Sequence, residues 1–245
     1  MATETWARQA DPMLTGEFAG ETPLRRVGII GGTGPAGSGL AMRLCAAGHT
    51  VLLGSRDLGK AKQRVDELHE RWGDRLAALV GVTNSDAALG DIVVLATVAE
   101  SAVATATEHA GELAGRIVVS MANLLTRTDR GFAAEVPPEG SVALAVQRAV
   151  PSARVVGAFQ NLPAKALGAI DLDLRADVVV CGDDADAVSS VVELIASIEG
   201  LHPLDGGPLA NAVAVEAFTA VLLTVNRARR AEHGIRIVPL RSFDA

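Results

Sequence analysis

The residues most able to do chemistry are seven in a row, Gly31-Gly32-Thr33-Gly34-Pro35-Ala36-Gly37. Gly32, Gly34 and Gly37 fill a G-x-G-x-x-G frame. The first allows a tight turn, the second lets the backbone approach a pyrophosphate, and the third lets helix pack on strand. Thr33, Pro35 and Ala36 complete the loop, whose backbone N–H groups and positive helix end face phosphate oxygens. Glycine clusters also mark ordinary turns, so context decides. Here the apolar run RRVGIIG leads in, residues 34–47 read as a helix, and TVLLGS reads as the next strand. This is the setting of a dinucleotide site.

About twenty residues on, a site for NAD wants a carboxylate to bind the ribose 2′-hydroxyl. The chain instead offers Gly54-Ser55-Arg56, with Lys60 one turn into the following helix. A hydroxyl, a guanidinium and an ammonium suit a dianionic 2′-phosphate, each such contact being worth roughly 1.5–3 kcal/mol. Asp57 reads as the cap of the next helix. The expected cofactor is NADP(H).

Other chemistries find little support. The histidines, His49, His69, His109, His202 and His233, never fall in a metal-ligand spacing. Asp183-Asp184 reads as a turn and helix cap, so no metal is expected. Ser55 and Ser120 lack a His–Asp pattern for a hydrolase triad. Cys45 and Cys181 are too few for a disulfide scaffold. Lys plus Arg total 22 against 29 Asp plus Glu, a net charge of −7, and aromatics are only 3% with no Tyr. Neither balance favours a nucleic acid or an anionic membrane. No apolar run of 18 residues and no apolar signal core are read, so a cytoplasmic protein is expected.

The elements that must position these residues alternate. Strand-like RRVGIIG, TVLLGS, LVGVTN, DIVVLAT and RIVVSM are separated by helical stretches, 58–71 and 100–113 among them. That is the pattern of a Rossmann-type α/β fold with a doubly wound parallel sheet. Residues 1–22 read as a polar N-terminal extension and 23–150 as the dinucleotide-binding domain. Residues 123–140 read as a loop, and a short helix follows over 142–149. Residues 151–245 form a smaller C-terminal α/β domain closing a cleft, with RVVGAFQNLPAKAL, DVVVCGDD, a helix over 185–198 and an apolar helix over 209–228. That last helix exceeds what so short a block can bury, which favours a homodimer.

VGIIGGTGPAGSGLAMRLCAAGHTVLLGSR resembles the opening of the NADPH-dependent reductases of coenzyme F420, a 5-deazaflavin. GAFQNLPA at 157–164, VVVCGDD at 178–184 and LHPLDGGPLAN at 201–211, with Glu216 and Thr219 after it, are similar to later segments of that family. The likeness spans about residues 25–238. It implies direct hydride transfer between NADPH and F420, with both ligands in the cleft. Segments placed to hold the rings are Thr97–Val98, Met121–Asn123 (Met121 and Asn123 above all), the loop Gln160, Asn161, Leu162, Pro163, Ala164, and the tail at His233. Hydride transfer between two cofactors needs orientation and exclusion of water, so no catalytic side chain is named. A reductase of a small imine or keto acid shares the first domain, but would call for a general acid that the cleft segments do not offer. A non-catalytic NADP(H) sensor would have no use for a second ring pocket.

Overall fold

The computed structural model describes residues 23–240, and the extension over 1–22 lies outside them. β1 (Arg26–Ile30) leads through the glycine loop into α1 (Pro35–Ala46), β2 (Thr50–Ser55), α2 (Leu58–Trp72) and β3 (Leu79–Thr83). A short α3 (Asn84–Ala87) and β4 (Ile92–Leu95) follow. The stretch expected as one helix breaks at His109 into α4 (Ala99–Glu108) and α5 (Ala110–Leu113), before β5 (Ile117–Ser120).

The segment 123–140, expected to be a loop, contains a hairpin instead. β6 (Leu125–Thr128) and β7 (Gly131–Ala134) pair antiparallel. The hairpin is held by tertiary contact, the Phe132 N–H donating to Thr224 Oγ1 at 3.0 Å. Next come α6 (Val142–Ala149), β8 (Arg154–Gly157), α7 (Ala164–Gly168), β9 (Ala176–Gly182), α8 (Ala185–Ala196), β10 (Leu201–Asp205) and α9 (Ala212–Arg229).

Eight strands form one sheet in the order β10-β9-β8-β5-β4-β1-β2-β3. From β3 to β8 every pairing is parallel. β9 runs antiparallel to β8, and β10 is parallel to β9. The boundary read near residue 150 falls between α6 and β8, and the sheet runs across it through the β5–β8 pair. Parallel strands buried on both faces need two helical layers. Leu40, Leu44, Val65, Leu68, Leu167 and Leu194 cover one face. Ala102, Ala106, Val142, Val146 and Ala212 cover the other.

With the single turn before it, α9 (Leu209–Arg229) is long and apolar enough to cross a membrane by length and composition, which the sequence reading had not expected. Ala212, Ala220 and Leu222 lie on its buried side. Glu216 and Thr219 are buried, whereas Phe218, Val221 and Val225 are exposed.

At the amino edge of the sheet, polar groups close on one another. The Arg25 N–H donates to His49 Nδ1 (3.1 Å), which leaves the proton on Nε2 to donate to Ser197 Oγ at 2.8 Å. Ser197 donates to Leu194 O (2.6 Å), and Arg25 pairs with Glu193 at 2.6 Å. These bonds tie α8 to the turn between α1 and β2.

Candidate functional site

The glycine loop sits at the carboxyl edge of β1, beside β4, where the winding of the sheet reverses. Ligands of open α/β sheets bind at such switch points. Gly31 takes φ +72°, and the Gly32 N–H donates to Gly54 O at 2.9 Å, tying the loop to the end of β2. The three motif glycines have different reasons to be glycine. A methyl group on Gly32 would lie 2.7 Å from Leu53 Cδ1 and 2.9 Å from Ile29 O, and one on Gly37 would lie 2.8 Å from Gly32 Cα. Packing requires both.

Gly34 is unlike them. Its backbone, at φ −70° and ψ 166°, suits any residue, and a methyl group there would meet no protein atom nearer than 4.0 Å. The fold leaves that space open in front of α1. Helix α1 has no side-chain cap and no acidic residue in its first turn, with Pro35 at its start. Its leading N–H groups therefore lie free of side-chain acceptors, as an anion site requires.

Ser55 is buried at the end of β2, and its hydroxyl accepts from the Asp57 N–H at 3.2 Å. Asp57 caps α2, accepting from the Lys60 N–H at 3.2 Å, the capping place read for it in the sequence. Arg56 and Lys60 are exposed and belong to no ion pair among the described residues. Arg64, one turn beyond Lys60, was overlooked in the sequence although the four-residue spacing signals it. Its guanidinium reaches Ser38 Oγ at 3.2 Å, in the early part of α1.

Beside the loop a cavity of about 240 Å³ opens at the carboxyl ends of β4 and β5. Ala36, Thr97, Val98, Met121 and Asn123 line it together, with Ala96 beneath. Thr97 Oγ1 is buried with no hydrogen-bond partner, and Val98 is two-thirds exposed. A ring entering here would meet apolar groups of Ala36, Val98 and Met121 together with the polar Thr97, Glu100 and Asn123.

The loop after β8 borders this region. Phe159, fully buried, is held at φ +69°, a conformation that strains a residue with an aromatic side chain. Nothing in the sequence signalled it. Asn123 Nδ2 donates to Gln160 O at 3.0 Å. Asn161 Nδ2 donates to Val215 O and to Thr219 Oγ1, each at 2.9 Å. Thr219 Oγ1 also lies 2.9 Å from Asn123 Oδ1 and 3.1 Å from Gln160 O. Asn123 and Asn161 thus spend side-chain donors on shaping the loop. The Gln160 side chain is buried over Gly157, with neither amide atom bonded. Leu162 is buried, and Pro163, at φ −65°, leads directly into Ala164.

Below the loop, Glu216 accepts from the Val142 and Ala143 N–H groups at 2.8 and 3.0 Å, so the start of α6 is closed by an internal carboxylate. Burial pushes the Glu216 carboxyl up, and those two bonds oppose the shift. Burial also pushes the Cys181 thiol up to about 11, helped by Asp205 and Glu216, which makes it an inert core residue. His233 lies farther along the chain, where its N–H and Nδ1 both meet Asn226 Oδ1, at 2.9 and 2.8 Å. The next residues run along the start of β9, the Asp177 N–H donating to Ile235 O at 2.8 Å. No cluster of three metal-ligating side chains occurs among the described residues.

Residues 26–124 match the sequence profile described as NADP oxidoreductase, coenzyme F420-dependent. The F420-dependent NADP reductase of Methanocaldococcus jannaschii is 36% identical over 221 residues, covering 88% of this chain and 99% of the archaeal one. The chain belongs to the F420-dependent NADP reductase family. A solved structure from Arthrobacter sp. FB24, that of a candidate F420-dependent NADP reductase, superimposes with a TM-score of 0.71 at 26% identity. It covers 87% of this chain and 100% of that one. The imine reductase of Streptomyces aurantiacus, at 19% identity and a TM-score of 0.53 over 83% of this chain and 60% of its own, shares the Rossmann-like fold alone. The glycine loop, the β2 end and the cavity-lining residues other than Leu125 fall within the matched residues 26–124.

Proposed function

We propose that the protein transfers hydride between NADPH and coenzyme F420 in the cleft at the carboxyl edge of its sheet. The observation that carries this reading is the pairing of an open cradle at Gly34 with the unpaired cations Arg56 and Lys60, beside a cavity large enough for part of a ring. Family membership supports both cofactors.

The residues divide the work. Backbone N–H groups of Thr33, Gly34, Ala36 and Gly37 hold the pyrophosphate, with Gly32 making the tight turn and Gly34 giving the ligand room. Ser55, Arg56 and Lys60 hold the 2′-phosphate and set the preference for NADP over NAD. Thr97, Val98, Met121 and Asn123 wall the nicotinamide. Main-chain groups of Gln160, Asn161, Leu162, Pro163 and Ala164, with His233 behind them, hold the deazaflavin. When both are bound, the dihydronicotinamide supplies a hydride to the deazaflavin, which also takes up one proton from solvent, and the reverse returns both. The chain's part is to orient the rings and exclude water, and no side chain is assigned a proton-transfer role.

Residues 23–150 carry the dinucleotide and residues 151–245 close over the second ring. The exposed apolar face of α9, with Phe218, Val221 and Val225, supports a homodimer. We place the enzyme in the cytoplasm on composition.

Mixing the protein with NADPH and F420 and following absorbance at the oxidised deazaflavin band tests the reading. Bleaching with NADPH and little with NADH is expected. Binding of NADPH without bleaching would overturn it in favour of a sensor, and consumption of a small imine or keto acid instead would favour the reductase alternative.

A further inference from the structure

Two loops must hold two rings in register, and a single buried cation joins the helices behind them. Arg43 lies in the last turn of α1 and is only 6% exposed. Its Nε donates to Leu167 O at 3.1 Å, and its Nη2 reaches Ala166 O (2.8 Å), Ala169 O (2.8 Å) and Leu172 O (3.2 Å). Ala166 O and Ala169 O also accept from the Ala169 and Leu172 N–H groups, at 3.4 and 2.9 Å, so the guanidinium reinforces the turns that end α7. A five-residue helix has too little cooperativity to hold itself, so α7 depends on this cap. One turn earlier, α1 meets α7 almost backbone to backbone. A methyl group on Gly39 would stand 2.8 Å from Leu167 Cβ and 2.9 Å from Gly168 N.

Both helices begin at the site. The first turn of α1 carries the phosphate loop, and α7 starts at Ala164, directly after the Gln160–Pro163 loop. We propose that Arg43 is a positioning residue that locks α7 to α1 and thereby fixes the deazaflavin loop against the dinucleotide loop, so that it sets the register of the two rings without touching either. This rests on the reading that those loops hold the two cofactors. The guanidinium suits the task because its planar fork spreads donors over several acceptors, which the compact ammonium of Lys cannot do. Burial pulls the Arg43 pKa down while Asp171 opposes the shift, and a guanidinium remains charged throughout.

The test compares wild type, Arg43→Lys and Arg43→Met below their melting temperatures. NADPH affinity, read by fluorescence titration, should stay within about twofold, since no phosphate contact changes. The single-turnover rate of hydride transfer should fall roughly 10- to 100-fold in Arg43→Met, as expected for reacting groups displaced by about 1 Å, and less in Arg43→Lys. The deuterium isotope effect from 4-deuterated NADPH should rise as that step becomes limiting. A residue that only stabilised the fold would lower the melting temperature and leave rate and isotope effect per folded molecule unchanged, which would overturn the proposal.

A second readout needs no F420. NADP+ added to wild type should slow hydrogen exchange across residues 159–168, and this transmitted protection should vanish in Arg43→Met. Equal protection in both proteins, or none in wild type, would overturn the proposal. If wild-type protein fails to reduce F420 while the exchange coupling is present and depends on Arg43, the functional reading fails and the brace stands.

Discussion

Helices α1 and α6 both begin at the carboxyl edge of the site, and their first turns are finished in opposite ways. The leading N–H groups of α6 are taken up inside the protein, by Ser141 Oγ at 3.0 Å and by the two oxygens of Glu216. Those of α1 meet no side chain, and the residue before it is a glycine with empty space where a side chain would stand. Asp57 closes α2, Thr83 closes α3 and Asp184 closes α8 in the same way, whereas α4, α5, α7 and α9 share with α1 the lack of a side-chain cap. What sets α1 apart is the open space at Gly34 beside the exposed Arg56 and Lys60, as an anion from solution would need.

The most damaging way to break that contrast is to fill the cradle. Gly34→Val adds atoms where the protein has none, on a backbone any residue adopts. Its unfolding free energy in urea should change by less than about 1 kcal/mol. NADPH affinity should fall roughly 100-fold or more, because pushing phosphate off the α1 amides forfeits at least two charge-assisted bonds of about 1.5–3 kcal/mol each. Loss of stability without loss of affinity would make Gly34 a packing residue like Gly37. Next in size is Arg56→Ala, which should raise the KM for NADPH roughly 10- to 100-fold and leave that for NADH unchanged. Equal losses with both nucleotides would remove Arg56 from the 2′-phosphate.

These two predictions rest on residues whose meaning was legible locally. The glycine loop, the β2 end and the Asp57 cap each depend on neighbours within a few positions, and the alternation of strand and helix carried the doubly wound order through β5. What stayed hidden depends on distant contacts. The hairpin of β6 and β7 has no alternating pattern, and its Phe132 N–H is satisfied by Thr224, 92 residues away. Arg43 sits in GLAMRLCAA as if on a solvent face, and its acceptors lie at least 123 residues downstream. The direction of β9 is invisible in DVVVCGDD, since a short apolar run pairs equally well either way. Phe159 at φ +69° follows from the loop being pinned through Thr219, 60 residues later.

A smaller effect sharpens the contrast from the closed side. Glu216→Gln keeps one acceptor and loses the charge, leaving an α6 amide unpaired in a buried site. Stability should drop by about 1–3 kcal/mol in urea unfolding. NADPH affinity should hold within about twofold, because that carboxylate serves α6 and not the ligand. A loss of NADPH affinity matching that of Gly34→Val would show the two helix ends to be parts of one site.

The smallest expected effect lies at the opposite edge of the sheet, in the cluster around His49. His49 is fully buried, its Nδ1 accepting from the Arg25 N–H and its Nε2 donating to Ser197. A second proton would take the acceptor away from Arg25 and place a charge beside a guanidinium. Burial, then Arg25, accordingly pull its pKa below the ordinary 6.5. The unfolded chain thus takes up this proton at a higher pH than the folded protein. The stabilising contribution is whole above pH 6.5 and is lost progressively as pH falls from 6.5 toward the depressed folded value. His49→Phe lacks the group in both states. The urea midpoint of wild type should therefore decline more steeply than that of the variant below pH 6.5, and the two curves should run parallel above it. Carboxylates that titrate lower down act on both proteins and cancel in the difference. A difference that opened in the other direction would mean His49 is protonated in the fold, with Arg25 donating elsewhere, and the amino edge would then be as unfinished as the edge that binds nucleotide.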